Sequence, residues 1–335
     1  MKKSEMNQTH RDKIDSAVNS AFNFSDWTFA GMLAGGLSPA NLYKISINDH
    51  IYVVRISDPE HPHHQLEREF AAMTAAANNH IAPQVHYANS QTGVLIMPFI
   101  ADQSIYSFNL ENPQQLERLA QFIYKFHQLP SLPPDDSIAK KLDGLLALFK
   151  PNLQINEIVQ KCMALKDELT HLLVDEGDKR PCHCDINPTN LLYDGNQLWL
   201  IDWASASQQS FYFDLACAST FLFYQSEDAN DAFLQAYFQR PPTSIEAKKY
   251  YLMRQFVAIY YGLIFVFLGV QDETTFLTQT EIDGLPTYPH FMQMLGEGKE
   301  NLANARSRQK MGFIHLKSVL TAQKTARFAD AIEGL

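Results

Sequence analysis

The pattern of apolar and polar positions divides the chain into a first part with short strands and a longer helical part. Apolar runs of strand length occur at residues 27–30, 42–47 and 51–56, and again at 85–87 and 93–97. An Asn-Asp pair between the second and third runs is typical of a tight hairpin turn. The first part is therefore predicted to be a small antiparallel sheet.

Helical spacing begins at Pro113 and continues through most of the remaining chain. Apolar residues recur there every three or four positions, at Leu116, Leu119, Ala120, Ile123, Phe126 and Leu129. Further helices are predicted at 138–149, at 155–174 and at 250–270, and residues from Lys299 onward are predicted to form a charged helical tail. The predicted fold class is α+β.

Three polar residues stand among apolar neighbours after the third helix: Asp185, Asn190 and Asp202. A strand is predicted to begin directly after Asn190, and a turn at 194–196 returns the chain along a second strand, 198–201. This hairpin would bring both carboxylates and the carboxamide together. Phosphoryl transfer to an alcohol uses such a set, because one carboxylate orients the acceptor hydroxyl while the other groups hold Mg²⁺.

Composition narrows the possible partners. The chain has 335 residues, 46% of them hydrophobic, and a net charge of −10. This charge disfavours binding to nucleic acid or to an anionic membrane, because both require a basic surface. The longest apolar run, 256–270, is predicted to be a buried helix. The first residues are polar and lack an apolar signal region. The four cysteines are expected to be buried thiols. Both features favour a cytoplasmic protein.

The sequence His-x-Asp-x-x-x-x-Asn, followed by Ile-Asp-Trp, resembles the catalytic and metal loops of the aminoglycoside phosphotransferase and choline kinase superfamily. That resemblance implies a protein-kinase-like fold with two lobes, a nucleotide-binding lobe at 1–98 and a mainly helical catalytic lobe at 99–335. It also implies that Asp185 is the catalytic base, that His183 braces its loop, and that Asn190 and Asp202 bind Mg²⁺.

The nucleotide is expected to lie against the first lobe. The run Gly-Gly-Leu-Ser-x-x-Asn-x-x-Tyr-Lys, which contains Gly35, Gly36 and Ser38, resembles the nucleotide loop of choline kinases. Glycines there allow backbone N–H groups to approach the phosphates of ATP. The same resemblance places the adenine edge at the Pro98 carbonyl and the Ile100 N–H.

Arg55 lies within an apolar strand, where a cation is costly unless an anion is near. The resemblance implies that Arg55 contacts the nucleotide phosphates and pairs with a glutamate of the next helix. Glu69 is the predicted partner, from its distance to the following Ile-Ala-Pro, and Glu67 is the alternative.

The choline and ethanolamine kinase branch is the best match within the superfamily. Tyr261 begins a Tyr-Gly-Leu-Ile run where that branch has an aromatic-Gly-x-aromatic motif, and Tyr260 and Phe265 add aromatic faces that attract cations. Ile264 and Ala204 depart from the pattern, since an aromatic and an acidic residue are usual there.

The predicted function is ATP- and Mg²⁺-dependent phosphorylation of a small amino alcohol such as choline or ethanolamine. Aminoglycosides and thiamine are the alternative acceptors, and a non-catalytic nucleotide-binding scaffold is the alternative class. The oligomeric state stays open. An ordinary protein kinase is disfavoured because no Asp-Phe-Gly or Ala-Pro-Glu motif is present.

Overall fold

A computed structural model describes residues 6–33, 40–61, 65–132, 135–147, 156–223, 226–272 and 276–335. The chain divides into two compact units. One comprises Met1–Pro133 with Arg180–Gln208, and the other comprises Pro134–Lys179 with Gln209–Leu335. The predicted catalytic loop thus groups with the strands of the first part, and the lobe boundary at residue 98 stays a prediction.

The first unit contains a five-stranded antiparallel sheet with the strand order β1-β2-β3-β5-β4. Its strands are β1 (Thr28–Met32), β2 (Asn41–Ile47), β3 (His50–Ile56), β4 (Tyr87–Asn89) and β5 (Val94–Pro98). All five predicted strands are present, and the antiparallel sheet is confirmed.

The hairpin between β2 and β3 forms because its two turn residues accept a left-handed backbone. Asn48 and Asp49 have φ angles of 49° and 64°, as a two-residue hairpin turn requires. The register that follows pairs Arg55 with Leu42 on one side and with Leu95 on the other. Arg55 therefore lies in a strand flanked on both sides by paired strands, and it is 8% exposed.

Helix α1 (Gln8–Phe22) covers one face of this sheet. Ile14, Ala17 and Val18 pack with buried residues of β2, β3 and β5 in one apolar cluster. Two further α-helices of the unit are α2 (Leu66–Asn78) and α3 (Pro113–Phe126). Pro113 occupies the first turn of α3, where its missing N–H costs nothing, and the Asn112 side chain caps that helix.

Two short strand pairs surround the predicted catalytic loop. β7 (Leu191–Tyr193) and β8 (Leu198–Leu200) form the predicted hairpin, and β6 (Lys179–Cys182) pairs with β9 (Ser207–Ser210). Gly195 allows the turn of the hairpin, because its φ of 93° lies in a region that other residues rarely adopt.

The second unit is mainly helical. Its helices are α4 (Ile138–Leu146), α5 (Glu157–Leu173), α6 (Phe211–Leu222), α7 (Glu227–Phe238), α8 (Ser244–Asp272), α9 (Gln279–Asp283), α10 (Tyr288–Gly296), α11 (Ala305–Ala322) and α12 (Ala326–Glu333). By length and composition α8 could cross a membrane, but 67% of its apolar window is buried within the protein, as in a core helix.

The prediction of a charged helical tail from Lys299 onward is confirmed for its helices, α11 and α12, but it is wrong in treating them as a tail outside the core. Helix α11 packs directly on α8, where a Cβ added to Gly312 would lie 2.6 Å from the carbonyl oxygen of Gly262. Phe313 and Leu316 of α11 are fully buried. Arg306, Lys310 and Lys317 lie along the half-buried side of this helix, whereas Arg308 is buried with the core residues and donates to backbone carbonyls.

The cysteines agree with the expectation of buried thiols. All four are buried and free of disulfide bonds. Burial raises the pKa of the Cys162 thiol to about 12, so this group stays protonated and unreactive at neutral pH.

Candidate active site

The loop between β6 and β7 holds Asp185 by both of its carboxylate oxygens. The Asn190 side-chain amide donates to Oδ2 over 2.8 Å, and the Asn187 amide donates to Oδ1 over 3.0 Å. Asn190 also donates to the backbone carbonyl of Asp185 over 3.0 Å. The loop therefore fixes the orientation of the carboxylate predicted to be the base.

Asn187 is a residue of this site that the sequence analysis missed. Its side-chain oxygen accepts from the N–H of Thr189 over 2.9 Å, which closes a side-chain turn ahead of Asn190. The Asn-Pro pair at 187–188 carried a usable signal, because asparagine before proline favours the start of a turn.

Backbone hydrogen bonds bring the end of the β7–β8 hairpin beside this loop. The N–H of Ile201 donates to the Asn190 carbonyl over 2.9 Å. His183, which is fully buried, donates from Nε2 to the Ile201 carbonyl over 2.9 Å, and its ring meets the edge of Trp203 at 4.9 Å. His183 thus joins the Asp185 loop to the residue that precedes Asp202.

Asp202 follows this junction with a left-handed backbone, at a φ of 62°. Cys184, directly before Asp185, has a φ of 64°. Both conformations are uncommon for residues other than glycine and often mark functional sites. They turn the chain sharply on either side of the cluster of Asp185, Asn190 and Asp202.

A buried arginine stands beside Asp202. Arg55 forms a salt bridge with Glu69, and its Nη1 lies 3.7 Å from Oδ1 of Asp202. The Glu69 side chain is only 3% exposed, whereas Glu67 is exposed. Arg55 therefore pairs with Glu69, and β3, α2 and the β7–β8 hairpin meet at one charged group.

The side chains near Asp202 suit a hard divalent cation. Oδ1 of Asp202 is buried and accepts no hydrogen bond from any residue that the structure describes. Towards the residues that the structure describes, the Asn190 side chain hydrogen-bonds through its amide nitrogen, which leaves the amide oxygen available. Carboxylate and amide oxygens are ligands that Mg²⁺ accepts.

The segment predicted to bind adenine continues directly from β5. Pro98 is the last residue of this strand and pairs with Tyr52. The N–H of Phe99 donates to the Ile51 carbonyl, and the N–H of Asp102 donates to the Ile100 carbonyl over 3.0 Å. Asp102 in turn accepts from the N–H of Tyr193 over 2.9 Å, so the segment is tied to the β7–β8 hairpin.

Gly35, Gly36 and Ser38 lie outside the described residues. Their predicted contact with the phosphates stays a prediction.

The aromatic residues predicted to bind an amine belong to α8 and differ in exposure. Tyr261 is 7% exposed, with the edge of Phe221 at 4.7 Å and its hydroxyl 3.7 Å from the sulfur of Cys217. Tyr260 and Phe265 are half-buried. Tyr261 thus contributes mainly to the core, and the other two offer more accessible ring surface.

Comparison with known protein families places this geometry in context. The sequence profile of the phosphotransferase enzyme family matches residues 33–247, which include strands β2 to β5 of the sheet and the whole Asp185–Asp202 segment. The chain belongs to this family. A comparison with curated proteins finds no match.

Solved structures with the same fold include several small-molecule kinases. A choline/ethanolamine kinase family protein from Mesorhizobium loti has a TM-score of 0.68 at 17% identity, over 96% of this chain and 97% of the other. The choline kinase LicA from Streptococcus pneumoniae has a TM-score of 0.62 at 16% identity, over 92% and 99%. A spectinomycin phosphotransferase, solved with ADP and spectinomycin, has 0.58 at 13%, over 91% and 98%.

These likenesses establish the kinase-like fold of this phosphotransferase. At such identities they leave its acceptor open, because the neighbours include both choline kinases and an antibiotic phosphotransferase.

Proposed function

We propose that this phosphotransferase transfers the γ-phosphoryl group of ATP, with Mg²⁺, to the hydroxyl of a small amino alcohol of the choline or ethanolamine type. One observation carries the proposal. Asp185, Asn190, Asp202 and Arg55 are joined in one unit by contacts of 2.8–3.7 Å, through the backbone of Ile201.

Each of these groups has a distinct part in the proposed reaction. Asp185, held by two amides, accepts the proton of the acceptor hydroxyl and keeps that oxygen directed at the phosphorus. Asn190 and Asp202 hold the Mg²⁺, which neutralises charge on the phosphates when it is bound. Arg55 binds the phosphates from the sheet, and Glu69 keeps its guanidinium in place.

Two features support an acceptor that carries an amine. The protein has a net charge of −10, which attracts cations, although salt screens that attraction beyond about 8–10 Å. Helix α8 offers the aromatic rings of Tyr260 and Phe265, which can bind an ammonium group by cation–π attraction of about 0.5–2 kcal/mol. A cytoplasmic location belongs to the same proposal.

An acceptor panel tests the proposal. ADP release is measured with Mg²⁺-ATP and with choline, ethanolamine, thiamine, an aminoglycoside or an uncharged sugar. Asp185→Asn is expected to lower turnover by about a thousandfold, while calorimetry finds ATP binding unchanged. Asp49→Asn is the matched control, because Asp49 is exposed in the β2–β3 turn, where asparagine also tolerates a positive φ.

The outcomes separate the parts of the proposal. Turnover of the amino alcohols alone supports the proposal in full. Turnover of the aminoglycoside alone would mean that the acceptor is an aminoglycoside and not a small amino alcohol. Activity with only the uncharged sugar refutes an amine-bearing acceptor. ATP binding without any turnover favours the scaffold alternative, and normal phosphoryl transfer by Asp185→Asn refutes the role of the base.

A further inference from the structure

A second concave site lies wholly within the helical unit. It is a cleft of about 400 Å³, lined by residues of α6, α7, α8, α10, α11 and α12 and by the short segment between the last two helices. Its lining includes none of the residues assigned above to catalysis, nucleotide or acceptor. The residues assigned to the proposed reaction therefore do not account for it.

Two arginines give this cleft a positive charge. Both nitrogens of the Arg254 fork donate to Glu227 over 2.9 Å, and Arg327 forms a salt bridge with the same carboxylate. Burial by itself would raise the pKa of Glu227, but the hydrogen bond and charge of Arg254, together with Arg327, lower it below its ordinary value. Glu227 is thus ionised at neutral pH, and these three lining groups sum to one positive charge, which the exposed Asp231 near Arg327 offsets only through a solvent-screened contact.

The guanidinium group of Arg327 can still donate hydrogen bonds to a ligand. Its side chain is 45% exposed, and its second nitrogen lies 3.9 Å from the largely exposed carboxylate of Asp231, beyond hydrogen-bond distance. The guanidinium also lies over the ring of Tyr251, 4.4 Å from its centre, which restricts its orientation. The Arg327 guanidinium is therefore held in a restricted orientation at the cleft, where it can contact an anion.

His315 adds a buried polar group that lacks a partner. It is 3% exposed and lines the cleft, and its Nε2 has no hydrogen-bond partner among the residues that the structure describes. The ring stacks parallel to Phe265 at 6.5 Å and lies 4.9 Å from the ring of Tyr288. A buried imidazole nitrogen without a hydrogen-bond partner is costly, and a ligand that reaches Nε2 would remove that cost.

Four hydroxyl groups of the lining point their hydrogens into the protein. Thr220, Thr321 and Thr325 each donate to a backbone carbonyl, over 2.8, 2.9 and 2.6 Å. Ser318 does the same, over 2.7 Å. Their oxygens are thus presented as acceptors, which suits a ligand that carries hydroxyl or amine donors beside its anionic group.

We propose that this cleft is a second small-molecule site, which binds a phosphate monoester or a carboxylate that also carries hydroxyl or amine groups. Arg327 and Arg254 hold the anionic group, His315 donates or accepts one hydrogen bond, and the threonine oxygens receive the ligand's donors. The lining shares no residue with the proposed transfer site, although His315 stacks on Phe265, and its occupancy is measurable without turnover.

Calorimetric titration with inorganic phosphate and with malate, in sodium chloride at constant ionic strength, tests the proposal. Saturable binding of one anion per chain is expected for at least one of the two probes, and comparison of the two probes distinguishes phosphate from carboxylate. Arg327→Gln is expected to weaken it by about tenfold, since the cleft loses its net charge and one charge-assisted hydrogen bond.

Arg306→Gln is the matched control, because Arg306 belongs to the same unit and forms a comparable salt bridge with Glu281, away from the cleft. His315→Phe provides an independent arm and is expected to weaken binding without changing the salt dependence. Absence of saturable binding, or binding that Arg327→Gln leaves intact, refutes the proposal. The second of these results would assign the anion to another site, such as the phosphate position at Arg55.

Discussion

Replacing Glu69 with glutamine removes the charge that keeps Arg55 in place beneath the predicted phosphate site. The Arg55 and Glu69 side chains are 9% and 3% exposed, so water cannot replace the lost partner. Among the described residues, the other anion paired with Arg55 is Asp202, which is 38% exposed and 3.7 Å away. We therefore predict that the unit containing the sheet becomes much less stable.

The magnitude follows from the burial of the two partners. Removing one member of a buried ion pair costs about 3–5 kcal/mol, and glutamine retains an acceptor oxygen, so the lower end applies. For a unit of this size the melting temperature would fall by about 6–12 °C. The partly exposed contact with Asp202 is worth about 0–1 kcal/mol, so Asp202→Asn should change the melting temperature little.

Differential scanning calorimetry of the nucleotide-free protein provides the measurement. Glu67→Gln is the control, because Glu67 lies on the same turn of α2 but is exposed. Replacing both partners, as Arg55→Met with Glu69→Leu, should recover most of the lost stability, because the unpaired charge is gone. The reasoning is refuted if Glu69→Gln and Glu67→Gln have the same melting temperature, or if Asp202→Asn lowers the melting temperature as much as Glu69→Gln does.

Three further predictions concern the metal, the acceptor and the buried histidine. Asp202→Ala and Asn190→Ala are predicted to weaken binding of Mg²⁺-ATP more than binding of free ATP, and equal losses in calorimetry would contradict metal ligation. Tyr260→Ala is predicted to raise the acceptor KM about 2- to 30-fold with the ATP KM unchanged, whereas an unchanged acceptor KM would exclude that ring from the pocket. Burial lowers the pKa of His315 from 6.5 to about 4, so the unfolded chain binds a proton in this range that the folded protein excludes. Stability should therefore be full above pH 6.5 and fall by about 3 kcal/mol towards pH 4, and His315→Gln should remove that part of the loss from the melting profile.

Much of the first unit followed from local sequence signals. The strands were predicted because their apolar runs end at turn residues, and Asn48 and Asp49 adopt the positive φ angles that their pair suggested. The cluster of Asp185, Asn190 and Asp202 was also predicted, because a hairpin of known length returns the chain to its starting point. Local rules suffice where the partners are close in sequence.

The partner of Arg55 required the tertiary structure. The sequence spacing favoured Glu69 and left Glu67 as the alternative, and the two residues project from different sides of α2. The packing of α2 buries Glu69 at Arg55 and leaves Glu67 exposed. Asn187 is a similar case, since only the folded loop directs its amide at Asp185.

The sequence alone thus determined the family, the α+β fold and the hairpin-borne cluster, because short-range patterns and a specific motif encode them. Only the tertiary structure showed that the last helices belong to the core. The sequence of α11 contains several charged residues, but the helix packs against α8. The tertiary structure also brought Arg254, His315 and Arg327 to one cleft from three helices. Residues so far apart in sequence carry no local signal of their contact, since the packing of helices that brings them together depends on the whole core.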